Sequence, residues 1–284
     1  VPVTVATTLN HACSALAERP EATILAGGTD LMVEVNHGRR HLIDVVTLDQ
    51  IPELSHWERN GDVFRLGSGL TYTALAGPLL ADSLPGLAQA ARTVGSPQIR
   101  NSGTLGGNLA TASPAGDTIP VLAALNAVVE LRSADGHREV PVTDFITGVK
   151  QNELRPGELI EAIRVPVAAG PQEFLKVGTR NAMVISVVSL AMVVDLSACQ
   201  VRVGLGSVSP VPERATEAEA FVNGLIDWDG QVLPEAATVD RFADLVVTAA
   251  SPIDDHRGSA AYRRHALGVL ARRALIRCFG EENR

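Results

Sequence analysis

The chain has 284 residues, of which 46% are hydrophobic and 20% charged, so it has the composition of a globular protein and room for two to three domains. Its net charge of −8, without a long run of Lys or Arg, makes nucleic acid a poor candidate partner. The longest apolar run, 184–194, is too short to cross a membrane as a helix, so no membrane span is expected.

The first fifty residues have the pattern of one αβ unit. The expected elements are a helix over 8–17, a strand over 22–25, a short helix over 30–36 that Gly38 ends, and a strand over 42–46. A glycine-rich segment, Ala26-Gly27-Gly28-Thr29-Asp30, joins the first strand to the second helix.

A second unit follows over 51–167. The expected elements are a hairpin of strands 54–58 and 63–67 with a turn at Asn60-Gly61, helices over 73–80, 85–94 and 118–125, and strands over 127–133, 139–142 and 159–165. The stretch 95–116 is dense in Gly, Ser, Pro and Asn and is expected to be a loop. A loop of this length suggests a function.

A proline-bounded linker, 166–171, precedes the third unit. Its expected elements are strands over 173–177, 186–196 and 200–206, and helices over 238–249 and 259–279. Strands followed by helices are typical of an α+β layer. The predicted domains are therefore 1–50, 51–167 and 172–284.

Two glycine-rich segments suggest a ligand site. The first runs from Ile24 to Leu31, where glycines let backbone N–H groups approach a phosphate or pyrophosphate and the start of a helix adds a favourable field. The second is Thr104-Leu105-Gly106-Gly107-Asn108, and the two segments together could hold one elongated ligand. In the alternative interpretation the glycines serve only the turn, and Thr29 or Asp30 caps the helix.

Other site types have weaker support in the sequence. Dinucleotide and P-loop fingerprints are absent, since Gly67-Ser68-Gly69 and Gly204-Leu205-Gly206 lack the third glycine. Cys13, Cys199 and Cys278 have no disulfide, zinc or iron–sulfur spacing and are expected to be reduced and buried. His37 and His41 lack a third metal ligand. The arginines of the last helix are expected to form an exposed face: Arg263, Arg264, Arg272, Arg273 and Arg277.

Four stretches in order carry a family resemblance: Ala-Gly-Gly-Thr-Asp-Leu at 26–31, Gln98-Ile99-Arg100-Asn101 to Gly106-Gly107-Asn108, Ser113-Pro114 with Asp117, and Glu158-Leu159-Ile160 before Pro166. With them the whole chain resembles the FAD-binding medium subunit of the molybdenum hydroxylases, the xanthine dehydrogenase and carbon monoxide dehydrogenase family. The resemblance implies an α+β fold. It consists of a two-part FAD-binding domain of the PCMH (vanillyl-alcohol-oxidase-like) type and a C-terminal α+β domain of a sheet plus helices.

The resemblance also implies FAD as the cofactor, with no metal and no catalytic side chain on this chain. It places Val94 at an apolar contact, Asp117 at a polar contact, Ile160 near the flavin ring, and Lys176 where its charge would stabilise a reduced, anionic flavin. The implied cofactor-binding residues are Ile24, Leu25, Ala26, Gly27, Gly28, Thr29, Asp30, Leu31, Val94, Thr104, Leu105, Gly106, Gly107, Asn108, Asp117, Ile160 and Lys176. One departure from the family pattern is that Val184 and Ile185 stand where many relatives have an acidic residue.

The implied role is an electron-transfer subunit in a heterotrimer, or a doubled form of it. Electrons would come from the 2Fe-2S clusters of a small subunit, which receives them from a large molybdopterin subunit, and would leave to NAD, quinone, oxygen or another acceptor. Two alternatives remain open: a self-sufficient FAD-dependent oxidase or reductase with its own organic substrate, and a non-catalytic binding module. The N-terminal residues lack the features of an export signal, which favours the cytoplasm.

Overall fold

The computed structural model describes residues 1–232 and 235–280. The first unit is a parallel sheet of three strands in the order β1-β3-β2, with two helices. Its elements are β1 (Val3–Val5), α1 (Leu9–Glu18), β2 (Thr23–Leu25), α2 (Leu31–Asn36) and β3 (Val45–Thr47). The hydroxyl of Thr8 accepts a hydrogen bond from the His11 N–H and so caps α1, at the start of the helix predicted over 8–17.

The second unit is an antiparallel sheet of five strands with short helices packed on one face. Its sheet elements are β4 (Trp57–Asn60), β5 (Val63–Gly67), β6 (Val128–Arg132), β7 (His137–Pro141) and β10 (Leu159–Pro166), in the order β4-β5-β10-β6-β7. The remaining elements are a 3-10 helix (Pro52–Ser55), α3 (Tyr72–Leu75), α4 (Pro78–Ala81), α5 (Pro85–Thr93), α6 (Pro97–Ser102), α7 (Leu105–Thr111), α8 (Thr118–Ala124), α9 (Val142–Phe145) and a hairpin of β8 (Ile146–Gly148) and β9 (Gln151–Asn152).

The expected loop over 95–116 is wrong, because α6 and α7 lie within it. The Ser96 hydroxyl accepts from the Ile99 N–H and Pro97 follows as the first helical residue, which together start α6. The Thr104 hydroxyl accepts from the Gly107 N–H at 3.0 Å and starts α7 in the same way. Local caps thus outweigh the low helix propensity of the glycines.

The third unit confirms the expected α+β layer. Its elements are β11 (Gln172–Val177), β12 (Val188–Asp195), β13 (Gln200–Gly206), β14 (Glu213–Arg214), α10 (Thr216–Asn223), α11 (Ala236–Thr248) and α12 (Ala260–Phe279). The four strands form an antiparallel sheet in sequence order. Residues 281–284 of the predicted third domain lie outside the described residues.

The sheet of the third unit is buried on both faces, which explains the long apolar run in the sequence. Along β12, Leu190 and Met192 pack into a cluster with α10–α12, whereas Ala191 and Val193 pack against the helices of the second unit. A Cβ on Gly204 of β13 would overlap the carbonyl oxygen of Pro120 in α8. The second and third units therefore share a tight backbone contact.

Two predictions about surface residues are wrong. Arg263 is only 3% exposed, because it lies on the face of α12 that packs on the sheet and its guanidinium donates to the carbonyl oxygens of Val187 and Ser207 and to Asp255. Cys199 is exposed, because it lies in the turn between β12 and β13, whereas Cys13 and Cys278 are buried as expected. Within the described residues, every helix falls short of the length and apolarity that a membrane crossing requires.

Candidate functional site

The first glycine-rich segment presents a run of backbone donors. Within the described residues, none of the six N–H groups of 26–31 has a protein acceptor. All six residues are at least partly exposed, and Gly28 has a φ of +68°, which favours glycine. Consecutive N–H groups without partners form a concave site that suits an anion.

The two glycine-rich segments are neighbours in space, because Gly27 lies against residues 102–103, which immediately precede the second segment. A Cβ on Gly27 would overlap the carbonyl oxygen of Ser102 and would come within 3.1 Å of the Gly103 Cα. Glycine at 27 therefore permits a close approach between two parts of the chain, in addition to any approach of a ligand. This backbone contact brings the start of the second segment close to the first.

The second segment differs from the first because its amides are already paired. The Leu105 N–H donates to the Leu70 carbonyl at 2.9 Å, and the Gly106 N–H donates to the Ser68 carbonyl at 2.8 Å. Leu105 and Gly106 are buried, whereas Gly107 and Asn108 are partly exposed. A Cβ on Gly107 would meet only the Thr104 hydroxyl within 4 Å, so open space lies beside it.

Asp117 and Lys176 form a buried ion pair beside α5. Their side chains are 6% and 8% exposed, and the Lys176 Nζ lies 2.5 Å from the Asp117 Oδ2. The Thr93 hydroxyl also donates to the Asp117 Oδ2, at 3.2 Å, and the Lys176 Nζ donates to the Thr93 carbonyl at 3.3 Å. Burial raises the pKa of Asp117, while Lys176 and Thr93 act in the opposite direction. Among the residues that the structure describes, the buried Asp117 Oδ1 has no hydrogen-bond partner.

The two apolar residues of the predicted site have different surroundings. Val94 is the C-cap of α5 and is partly buried, and its carbonyl accepts from the Arg100 guanidinium at 3.0 Å. Ile160 is buried in β10 within the core of the second unit. Ile160 therefore belongs to the core in this structure, whereas Val94 lies at its margin.

Tyr72 lies near these groups, although no site residue was predicted at this position. Its ring packs so closely on Gly103 that a Cβ there would lie 2.7 Å from the Tyr72 Cε2. Burial raises the pKa of Tyr72, and the charges of Asp117 and Asp30 add to the shift, so its hydroxyl stays protonated. No local pattern marks this residue, since its neighbours come from distant parts of the chain.

His37, one of the two histidines considered for metal binding, makes a contact within its own helix. The His37 Nδ1 lies 2.8 Å from the Val33 carbonyl within its own helical turn. In the part of the chain that the structure describes, no group of three or more His, Cys, Asp or Glu side chains could hold a metal ion.

Comparisons with known proteins identify the family. Residues 1–168 match the family model of the FAD binding domain in molybdopterin dehydrogenase, and residues 173–278 match that of the CO dehydrogenase flavoprotein C-terminal domain. The chain belongs to this family of FAD-binding subunits. The family resemblance and the expectation of FAD are thereby confirmed.

Individual relatives of this FAD-binding subunit support the same family assignment. The nicotine 6-hydroxylase medium subunit of Paenarthrobacter nicotinovorans is 31% identical over 274 residues, covering 94% of this chain and 93% of the relative. A putative xanthine dehydrogenase FAD-binding subunit of Escherichia coli is 29% identical over 282 residues, covering 95% and 93%. The crystal structure of Cu,Mo-CO dehydrogenase in a cyanide-inactivated form matches with a TM-score of 0.87 and 28% identity over 98% of this chain and 96% of the solved chain. The expected two-domain α+β fold is confirmed.

Proposed function

We propose that this chain is the electron-transfer subunit of a multi-subunit molybdenum hydroxylase. It would receive electrons from 2Fe-2S clusters of a small partner subunit, which in turn serves a large molybdopterin subunit, and would pass them to an external acceptor. The observation that carries the proposal is the run of six N–H groups at 26–31 without an acceptor in residues 1–232 and 235–280, in a chain of the FAD-binding family.

The residues of the site fit FAD in two independent ways. The free amides of 26–31 offer donors to the pyrophosphate, and glycine at 28 keeps side-chain atoms out of their way. The unpaired Oδ1 of Asp117 is an acceptor that a cofactor hydroxyl or ring N–H could satisfy. A bound FAD could satisfy both the amides and the carboxylate oxygen.

The predicted cofactor-binding residues fall into two groups, those that are exposed and those that are buried. Ala26 to Leu31, Gly107 and Asn108 are accessible enough to touch the cofactor, whereas Leu105, Gly106 and Ile160 would support it from the core. Thr104 is buried and holds the start of α7. Three apolar clusters, each lying mainly in one unit, support the proposed domains 1–50, 51–167 and 172–284. The clusters also cross these bounds, since the first includes Ile51, Leu54 and Leu159 of the second range, and the second includes Phe174, Ala191 and Val193 of the third.

FAD, when bound, supplies a group that exchanges one or two electrons. The chain itself binds and orients that group and sets the charge around it. The Lys176 ammonium is already paired with Asp117, so the pair presents little net charge. A cofactor that accepts a hydrogen bond from Lys176 would have to compete with this carboxylate.

The first test of the function is the absorbance spectrum of the purified full chain, before and after reduction with dithionite. Two flavin bands that bleach, with FAD released on denaturation and no iron–sulfur shoulder, are expected. A colourless chain that takes up no added FAD would contradict the flavin function and favour a non-catalytic binding module.

The second test addresses the partners. The tagged chain is recovered from its native cells, and FAD, iron and molybdenum are measured in the same gel-filtration peak. For the electron-transfer subunit, all three are expected to co-elute. An organic donor is then expected to reduce the flavin rapidly only in the assembled complex. Turnover of an organic donor by the isolated chain would instead favour a self-sufficient oxidase or reductase.

A further inference from the structure

Helix α2, which follows the free amides, is weakly held to the rest of the molecule. None of its six residues, Leu31–Asn36, is fully buried, so it gains little from apolar packing. Among the described residues, Lys150 alone forms an ion pair or side-chain hydrogen bond with this helix from a distant part of the chain. A short helix with so few contacts belongs to the low-stability end of a fold.

Lys150 lies at the tip of the β8–β9 hairpin, and its backbone is fixed against α7. Its φ of +56° places it in the left-handed region, and its N–H donates to the carbonyl of Ala112 at 2.9 Å. Two residues later, the Asn152 amide donates to the Ala110 carbonyl at 2.8 Å. The hairpin is therefore anchored on the C-terminal end of the helix that carries the second glycine-rich segment.

The side chain of Lys150 crosses from this anchored backbone to the first segment. Its Nζ forms an ion pair with Glu34 of α2 and lies 3.7 Å from the Asp30 Oδ2, at the end of the free amides. The hydrogen bond from Lys150 holds the pKa of Glu34 below its usual value, so both partners are charged at neutral pH.

We propose that Lys150 is a positioning residue that latches α2 and the first glycine-rich segment to α7, and so preorganises the cleft in which FAD binds. The proposal rests on the proposed FAD-binding function. Lys150 acts through Glu34 and Asp30 and not through contact with the cofactor. This ion pair holds α2 and the first glycine-rich segment in place before binding. Less conformational entropy is then lost when FAD binds.

The test compares Lys150→Met, Glu34→Met and the double variant in the full FAD-free chain. FAD affinity and release rate are measured by flavin fluorescence, and amide exchange of 26–36 by mass spectrometry. Each single variant is expected to weaken FAD binding about two- to fivefold, mainly through faster release, as for an exposed ion pair. The double variant is expected to be no weaker than either single variant, because both break the same contact.

Two controls separate positioning from other effects. Lys150→Arg keeps the charge and is expected to restore slow exchange and FAD affinity. Arg272→Met breaks a similarly exposed ion pair with Asp240 on the far helices and is expected to change neither. Weaker binding in Lys150→Met with unchanged binding in Glu34→Met would overturn the latch on α2, because Lys150 would then act through Asp30 or on the cofactor directly.

The failure of the latch and that of the function are distinguishable. If the wild-type chain binds FAD and Lys150→Met matches it in FAD affinity and amide exchange, the latch alone is overturned. A wild-type chain that binds no FAD would overturn both.

Discussion

The ammonium nitrogen of Lys176 lies 2.5 Å from a carboxylate oxygen of Asp117, and both side chains are almost completely buried. The two residues come from the third and second units, so this pair joins the C-terminal sheet to the start of α8. A buried pair of this kind is costly to break on one side, because the remaining charge then has no partner.

Lys176→Met is therefore expected to destabilise the FAD-free chain by about 3–5 kcal/mol, since it leaves the Asp117 carboxylate buried and unpaired. The free energy of unfolding is measured in urea. The double variant Lys176→Met with Asp117→Leu is expected to recover much of that loss, because it removes both charges. Equal stability of wild type and Lys176→Met would contradict the buried pair.

Glycine substitutions distinguish the ligand-facing positions from the packing positions. Gly107→Val is expected to abolish FAD uptake while costing stability only about 1 kcal/mol, because its side chain meets little besides the capping hydroxyl of Thr104. FAD binding is followed by fluorescence and stability by thermal unfolding, with Arg272→Ala as a control that should bind FAD normally. Wild-type FAD affinity in Gly107→Val would show that the second segment does not face the cofactor.

Gly27→Ala tests the contact between the two segments. Its methyl group would overlap the Ser102 carbonyl, which is backbone and cannot rotate away. The variant is expected to lose both FAD binding and about 1–3 kcal/mol of stability, as overpacking does. Full stability with normal FAD uptake would mean that the segments separate easily.

The sequence predicted the local features of the fold well, because these depend on neighbouring residues. The helix predicted over 8–17 and the αβ order of the first unit follow directly from pattern. The short helices α6 and α7 were missed because a stretch rich in glycine and proline was interpreted as a loop, although Ser96 and Thr104 are good caps. The glycine pairs at 27–28 and 106–107 remain a prediction of the cofactor site.

The long-range contacts could not be predicted from pattern. Lys150 meets Glu34 across more than one hundred residues, and nothing near either one indicates it. The free amides of the first segment and the paired amides of the second also look alike in sequence, since both contain Gly-Gly. The difference arises from Ser68 and Leu70, whose carbonyls happen to lie beside the second segment.

Arg263 was predicted to lie on an exposed face but is buried, and its substitution tests whether the buried side chain stabilises the fold. Arg263→Met is expected to destabilise the chain by about 3 kcal/mol, because the carbonyls of Val187 and Ser207 lose a charged donor in a buried setting. The neighbouring exposed Arg264→Met is the matched control and is expected to change stability by less than about 0.5 kcal/mol. Similar unfolding curves for the two variants would contradict the buried role of Arg263.

The ionisation of Glu158 makes the stability of the folded chain depend on pH in the acid range. Burial alone would raise its pKa, but hydrogen bonds from the Arg138 guanidinium and the Arg155 N–H outweigh it and hold the pKa of Glu158 below its usual value. Because the folded pKa is lowered, the unfolded chain takes up this proton first as the pH falls. The stabilisation is therefore complete above the ordinary glutamate pKa and is lost as the pH falls through the folded value.

Glu158→Gln is accordingly expected to lower stability by about 2 kcal/mol at pH 7, where it removes charge-assisted bonds to Arg138. The difference from wild type is expected to stay constant from pH 7 to about 5 and to shrink below about 4. Urea unfolding across this range measures it, with Glu139→Gln, whose ion pair with Arg164 is more exposed, as a control of small effect. A difference that grew on acidification would show that the pKa of Glu158 is raised and not lowered in the folded chain.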